Sequence, residues 1–298
     1  MVLEAILSAE EAERHPLDML FLGFGVSSLG LWLAFYIFPK EASNWVLFLA
    51  AFALEPLLLR LFYVEERYDI AISRPTIWQR HENVIMDYLM LFFGMVLAFS
   101  FWYTLLPQEL SSIMFQNQIA EVGRIQGLRA SLTGAIIVSG STALQNTNLS
   151  GMINSKMQVL NFIMANNLRL LFLFIAFSFI FGAGAILLLT WNATVVGVAI
   201  GNLIREGIVT THLAGKLTSY FTAFPISFFS FFAHGIFEVL GYFIGAIAGG
   251  ILSVAIVKKH YTSPHFNVLV KDVVLLTMLS AGLIIFGAVV EVYVTPLL

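Results

Sequence analysis

The sequence predicts an all-α, polytopic transmembrane helical bundle with six to seven membrane segments and one long extracytoplasmic loop. Of its 298 residues, 59% are hydrophobic and only 11% are charged, whereas soluble domains carry about 25% charged residues. The apolar residues gather in runs close to the ~20 residues that a helix needs to cross the hydrocarbon core of a bilayer. The lipid bilayer is therefore the expected surrounding of this chain, and a soluble enzyme is not.

Six apolar runs predict membrane helices, and a seventh, shorter run is ambiguous. The six cover residues 17–38, 45–63, 86–106, 168–189, 221–257 and 273–294. The run 191–204 is short enough to be either a full crossing or a re-entrant segment. The run 221–257 is too long for one straight crossing, so a break near Pro225 is expected to leave a short interfacial piece.

Lys and Arg residues predict a cytoplasmic N-terminus in the cell membrane, because they collect on one side of the segments. The inner side would hold Arg14, Arg60, Arg67, Arg74, Arg80, Lys258, Lys259 and Lys271, and the short outer loops only Lys40, Arg205 and Lys216. Seven crossings would put the C-terminus outside, and a re-entrant 191–204 would invert everything after it. The acidic first sixteen residues are unlike a secretory signal, so the first segment is expected to be retained.

The residue types and motifs that the sequence lacks limit the chemistry expected of this chain. The chain has no cysteine and a net charge of −3, so we expect no disulfide or thiolate chemistry and no nucleic-acid partner. It carries no phosphate-binding Gly-x4-Gly-Lys, no nucleophile elbow and no paired-histidine metal motif. We therefore expect no enzymatic activity and no resident cofactor, and an ATP-driven role would need a separate ATPase subunit.

Glycines form two seams that predict close helix packing. Gly241, Gly245 and Gly249 recur every four residues and share a helix face with Ser227, Ser230, His234 and Glu238. A similar seam contains Ala193, Gly197 and Gly201. Small residues let membrane helices approach closely, so the two seams are predicted to pack against each other; self-association through a seam is the alternative.

His234 and Glu238 stand one helical turn apart, so their side chains can meet inside the bilayer. Three interpretations remain open for this pair, since intramembrane ionisable groups are costly and face a partner or a cavity. The pair is a structural couple, a proton or ion relay, or two ligands of a metal ion whose third ligand comes from elsewhere.

Other polar residues in or near apolar runs are candidates for the same intramembrane site. Glu55 precedes Pro56 and fits a local kink. Asn166 and Asn167 are expected to cap the start of the fourth helix, and Trp191 with Asn192 to close its hairpin. Capping alone would account for the asparagines.

Several of these residues together resemble the stage II sporulation protein M family of membrane proteins. The resemblance rests on Asn166-Asn167-Leu168-Arg169, Gly182-Ala183-Gly184, Trp191-Asn192 and above all Ala233-His234-Gly235-Ile236-Phe237-Glu238 with the glycine seam after it. It covers residue 86 to the C-terminus and implies functional weight for Asn166, Asn167, Asn192, His234, Gly235 and Glu238. It also implies a domain 83–298 with an external loop 107–167, preceded by an added two-helix domain 1–82.

The resemblance implies a role in assembling envelope complexes, because the family's namesake works with cell-wall hydrolases. A non-catalytic scaffold with protein partners or self-association is therefore the leading prediction for function. A permease or channel subunit that uses His234 and Glu238 is the alternative. A membrane protein with a metal ion at that pair is the second alternative.

Overall fold

A computed structural model of the chain describes residues 16–71, 77–127, 149–181, 184–211, 216–257, 259 and 266–293. Every regular element in these residues is helical, which confirms the predicted all-α class. The helices are α1 (Pro16–Ile37), α2 (Ala42–Ala71), α3 (Ile77–Leu105), α4 (Gln108–Met114), α5 (116–127), α6 (Leu149–Phe181), α7 (Ala185–Thr211), α8 (Lys216–Val257) and α9 (Phe266–Tyr293). A short 3-10 helix, Pro39–Glu41, joins α1 to α2.

Seven of the described helices are long and apolar enough to cross a membrane, so the chain is a multi-pass membrane protein. Their spans are Leu17–Ile37, Pro39–Leu61, His81–Leu105, Lys156–Phe181, Ala185–Glu206, Gly235–Val257 and Phe266–Tyr293. The ambiguous run 191–204 lies inside the fifth span, which has the length of a full crossing.

The boundary predicted between the fourth and fifth helices is wrong. α6 ends at Phe181 and α7 begins at Ala185, so Trp191 and Asn192 lie inside α7 and close no hairpin. The apolar sequence runs on without a polar interruption, which hid the turn. Gly184 marks it: a Cβ there would lie 2.6 Å from the Phe181 Cβ and 2.7 Å from the Phe177 carbonyl oxygen.

The start predicted for the fourth helix is also wrong. α6 begins at Leu149, so Asn166 and Asn167 lie well inside a helix and do not cap one. Much of the predicted external loop 107–167 is helical, in α4, α5 and the first turns of α6. Residues 128–148 fall outside the described part of the chain.

Pro225 does not break α8, contrary to the expectation from the sequence. The side chain of Pro225 is exposed, whereas Tyr220, Phe224 and Phe228 on the same turns are buried. The Phe228 ring packs on that of Phe93, with centroids 4.4 Å apart, and the Tyr220 hydroxyl lies 2.7 Å from the Ser100 hydroxyl. Contacts with α3 thus hold the helix on both sides of the proline.

The seven spanning helices pack as two groups. One contains α1, α2, α3 and α7, and the other contains α6, α8 and α9. The groups touch where α8 contacts α7, α3 and α2 and where α6 contacts α7. In the first group Gly23 faces the Leu91 carbonyl and Gly94 faces the Leu20 carbonyl, which brings the backbones of α1 and α3 together. α1 and α3 thus pack across the predicted division at residue 82, which stays a prediction.

The two glycine seams pack on other helices and not on each other, so the predicted seam-to-seam contact is wrong. On α7, Gly197 lies against Phe99 and Gly201 against Tyr103, both on α3. On α8, Gly241 lies against α9, and Gly249 against α6. A glycine has no side chain by which a sequence could specify its partner helix.

α4 and α5 dock on one end of the bundle. Phe115, between them, is buried against the rings of Phe99 and Tyr103. Gln118 donates a hydrogen bond to the Ser43 carbonyl at 2.9 Å, and Asn117 donates to Asn44 Oδ1 at 2.6 Å. The described part of the predicted external loop is therefore anchored to the start of α2 and the end of α3.

Arg205 of α7 fastens the same end. Its guanidinium donates to the carbonyl oxygens of Tyr103 and Leu106 and to the Ser111 hydroxyl. It also lies over the Tyr103 ring, 4.3 Å from the centroid. These carbonyls lie at the C-terminus of α3, where a helix leaves acceptors unpaired and where a cation is favoured by the helix dipole.

Candidate functional site

α6, α8 and α9 meet at a polar cluster centred on Glu238. Asn167 Nδ2 on α6 donates a hydrogen bond of 2.5 Å to Glu238 Oε1 on α8. Asn167 is only 6% exposed, and Glu238 is half-buried. A carboxylate partly withdrawn from water needs donors to replace that water, and Asn167 supplies one from the neighbouring helix.

The two consecutive asparagines point in different directions. Asn166 is exposed on the outer face of α6, and its amide reaches the Asn167 side-chain oxygen over a long 3.3 Å. Consecutive residues on a helix are 100° apart, so one asparagine turns inward and the other outward. Asn167 is thus the member of the pair that touches Glu238.

α9 approaches the cluster at a glycine. A Cβ on Gly287 would lie 3.1 Å from Glu238 Cγ and 3.3 Å from the Phe237 Cβ. Tyr242, one turn after Glu238, is buried and lies within electrostatic reach of the carboxylates of Glu238 and Glu291. The cluster is therefore acidic and is enclosed by three helices.

Tight packing closes the cluster toward the C-terminal end of α8. The rings of Phe174 and Tyr242 stack almost parallel, with centroids 5.0 Å apart, and both are buried. Beside them the Ser280 hydroxyl donates to the Gly241 carbonyl at 2.5 Å. A Cβ on Gly249 would lie only 2.5 Å from the Ile175 carbonyl oxygen, so α6 and α8 are nearly in backbone contact there.

Comparison with known proteins places the cluster in a recognised family. The family model for stage II sporulation protein M matches residues 88–296, well over half of the chain. The chain belongs to the stage II sporulation protein M family. The match agrees with the resemblance read from the sequence and includes α6, α8 and α9.

A relative of this stage II sporulation protein M family member occurs in Methanocaldococcus jannaschii. It is an uncharacterized protein that is 29% identical over 168 residues, which cover 55% of this chain and 85% of the relative. No solved structure matches the chain.

Of the candidate intramembrane residues singled out in the sequence, only some gather at the cluster. Asn167 and Glu238 bond directly, and Asn166 adjoins them. Asn192 instead donates to the Leu188 carbonyl within α7, at 2.9 Å. Glu55 lies half-buried on α2, a helix of the other group.

The predicted His234–Glu238 contact stays a prediction. The backbone of His234 lies in α8, one turn before Glu238, but its side chain is outside the described part of the chain. Among the side chains that are described, no three His, Asp or Glu groups come together as metal ligands. The metal-site interpretation therefore depends on His234 and has no described third ligand.

Sequence reasoning missed three residues that shape this site and its surroundings. Tyr242 and Ser280 pack directly beside the glycine seam. Only its position one turn after Glu238 could have suggested Tyr242, and only its place on α9 could have suggested Ser280. Arg205 was counted merely as an outer-loop charge. Its position within one turn of the end of an apolar run was the available signal.

Proposed function

We propose that this protein is a non-catalytic membrane scaffold, an assembly component of an envelope complex. The observation that carries the proposal is the tight packing of the Glu238 cluster toward the C-terminal end of α8. The carboxylate is bonded to Asn167, and the stacked Phe174 and Tyr242 rings block the three-helix interface beside it. A group held in this way fixes helix packing, which is what a scaffold requires.

The scaffold would present its α4–α5 end to partners outside the cell. The Lys and Arg bias of the predicted loops supports a cytoplasmic N-terminus, and α4 and α5 would then lie outside. Their exposed side chains include Ser112, Ile113 and Gln116. Anchoring by Gln118 and Arg205 would hold this surface rigidly on the bundle.

Site-specific crosslinking tests the scaffold proposal directly. In native membranes, a photo-reactive amino acid at Ser112 should give discrete adducts, each of which contains a second protein. The same reagent at Leu29, exposed on the lipid-facing side of α1, is the matched control and should give none. Equal adduct patterns at both positions, or no adduct at Ser112, would count against a partner surface here.

The permease alternative is kept because two carboxylates, Glu238 and Glu291, lie within electrostatic reach of one buried tyrosine. Carboxylates inside a membrane often mark proton or ion pathways. Liposomes containing the purified protein and a pH-sensitive dye separate the two functions. The scaffold proposal expects the same proton leak in wild type, Glu238→Gln and protein-free vesicles. A leak that Glu238→Gln abolishes would replace it with the permease.

Coupling to ATP would require another chain. If vesicle flux appeared only with ATP and an added membrane extract, a separate ATPase subunit would be implicated.

If EDTA treatment changed neither stability nor crosslinking, a metal ion at His234 and Glu238 would lose its support.

A further inference from the structure

One arginine stands on the outward face of a membrane helix. Arg169 lies halfway along the span Lys156–Phe181 and its side chain is exposed. At 100° per residue it sits at the centre of the exposed face of α6, between Ala165 and Phe172. Within the described chain no hydrogen bond or ion pair reaches it. A charge at this depth is costly and usually has a partner.

One carboxylate has the complementary position. Glu55 lies on α2 at the edge of an outward face that carries Phe48 and Phe52, and it is half-buried. No described residue forms a hydrogen bond or ion pair with it. Phe52 is 65% exposed, so a neighbouring helix can lie against this face.

Counted along the helices from the side at which both spans begin, the two charges lie at similar depths. α2 and α6 are the second and fourth spans, so their N-terminal ends are on the same side of the membrane. With a rise of 1.5 Å per residue, Arg169 is about 20 Å and Glu55 about 24 Å from the N-terminal ends of their spans. The side chain of an arginine is long enough to bridge that difference.

We propose that Arg169 of one molecule pairs with Glu55 of a second copy, so that α6 of one chain packs on α2 of the next. Within one chain α2 and α6 are not packed on each other beyond a marginal contact, so the pairing is assigned to a second copy. A contact between two different surfaces is head-to-tail, and copies that share one membrane orientation close into a ring or extend as a row. This inference stands apart from the scaffold proposal, because either a scaffold or a permease can be oligomeric.

The absence of cysteine permits a clean crosslinking test. Phe52→Cys and Ala165→Cys place one thiol on each face, each about one turn before the charged residue. Oxidation in native membranes should give a ladder of covalent oligomers only when both cysteines are present. Ala165→Cys with Leu29→Cys on α1 is the matched control and should stay monomeric. A dimer from Ala165→Cys alone would mean a symmetric α6 contact and overturn the proposal.

Charge reversal separates a specific pair from damaged folding. Arg169→Glu or Glu55→Arg, each in the two-cysteine background, should abolish the ladder, and the two reversals combined should restore it. A ladder that survives both single reversals would refute the pairing. So would a monomeric protein that retains an anionic lipid lost in Arg169→Gln, because the arginine would then serve a lipid headgroup.

Discussion

At the scale of single residues, the hydrogen bonds that define the Glu238 cluster and the Arg205 contacts join different helices. Glu238 was singled out in the sequence for its spacing from His234, yet its described partner is Asn167, far away in the chain. Helical periodicity can pair residues within one helix only. Contacts between helices depend on rotation and depth, which the sequence pattern of one helix does not contain.

Replacing Asn167 should destabilise the protein, whereas replacing its neighbour should not. Asn167→Ala removes a donor from a partly buried carboxylate, a loss that costs about 1–3 kcal/mol. Asn166→Ala alters an exposed side chain and should change stability by roughly 0.5 kcal/mol or less. Thermal denaturation in detergent, monitored by size-exclusion chromatography, measures the stability of both variants. Equal effects would indicate that the Glu238 carboxylate does not rely on Asn167.

Arg205 should not tolerate even lysine. Arg205→Lys keeps the charge but loses the planar fork that reaches Leu106 and Ser111. We expect a loss of about 1–3 kcal/mol, because buried acceptors at the end of α3 lose a charged donor. Arg124→Lys is the control: Arg124 pairs with Glu121 on an exposed surface, where such pairs contribute about 0–1 kcal/mol. The same denaturation assay would contradict this ranking if the two variants behaved alike.

At the scale of helices, hydropathy predicted which membrane helices exist better than it predicted where they begin and end. Composition identified the spanning segments, because a membrane crossing demands a long apolar run. The turn between α6 and α7 was missed because Gly184 continues a small-residue stretch without a polar break. Pro225 misled in the opposite way: packing of Tyr220 and Phe228 on α3 outweighs the lost hydrogen bond.

The glycine seam of α8 should be sensitive to a single methyl group. Gly249→Ala would place a Cβ 2.5 Å from the Ile175 carbonyl oxygen, so α6 and α8 must move apart. Overpacking of this kind costs about 1–3 kcal/mol. Gly282→Ala on α9 meets open space and should be neutral or stabilise by up to about 1 kcal/mol. Equal melting temperatures for the two variants would contradict the prediction, because the close approach of α6 at Gly249 would then not limit stability.

At the scale of the whole molecule, the sequence predicted the all-α membrane class and the part of the chain that matches the family. Which helices contact each other depends on packing. Two seams of small residues were recognisable on α7 and α8, but each packs on a different neighbour. Small residues record that a helix comes close without recording which one. The Asn167–Glu238 bond and the α3 carbonyls under Arg205 needed the assembled bundle for the same reason.

The odd number of crossings makes a prediction about the two ends of the chain. With a cytoplasmic N-terminus, the start of α1 lies inside, whereas α4 and the end of α9 lie outside. Single cysteines at Ser112 and Tyr293 should therefore react with a membrane-impermeant maleimide in intact cells, and one at Asp18 only after permeabilisation. All three side chains are exposed on the protein surface, and Asp18 and Tyr293 stand at the ends of their spans, next to the aqueous phase. The reverse pattern would invert the orientation and move the α4–α5 surface to the cytoplasm. Labelling of Asp18 and Tyr293 from the same side would require one of the seven spans to be re-entrant.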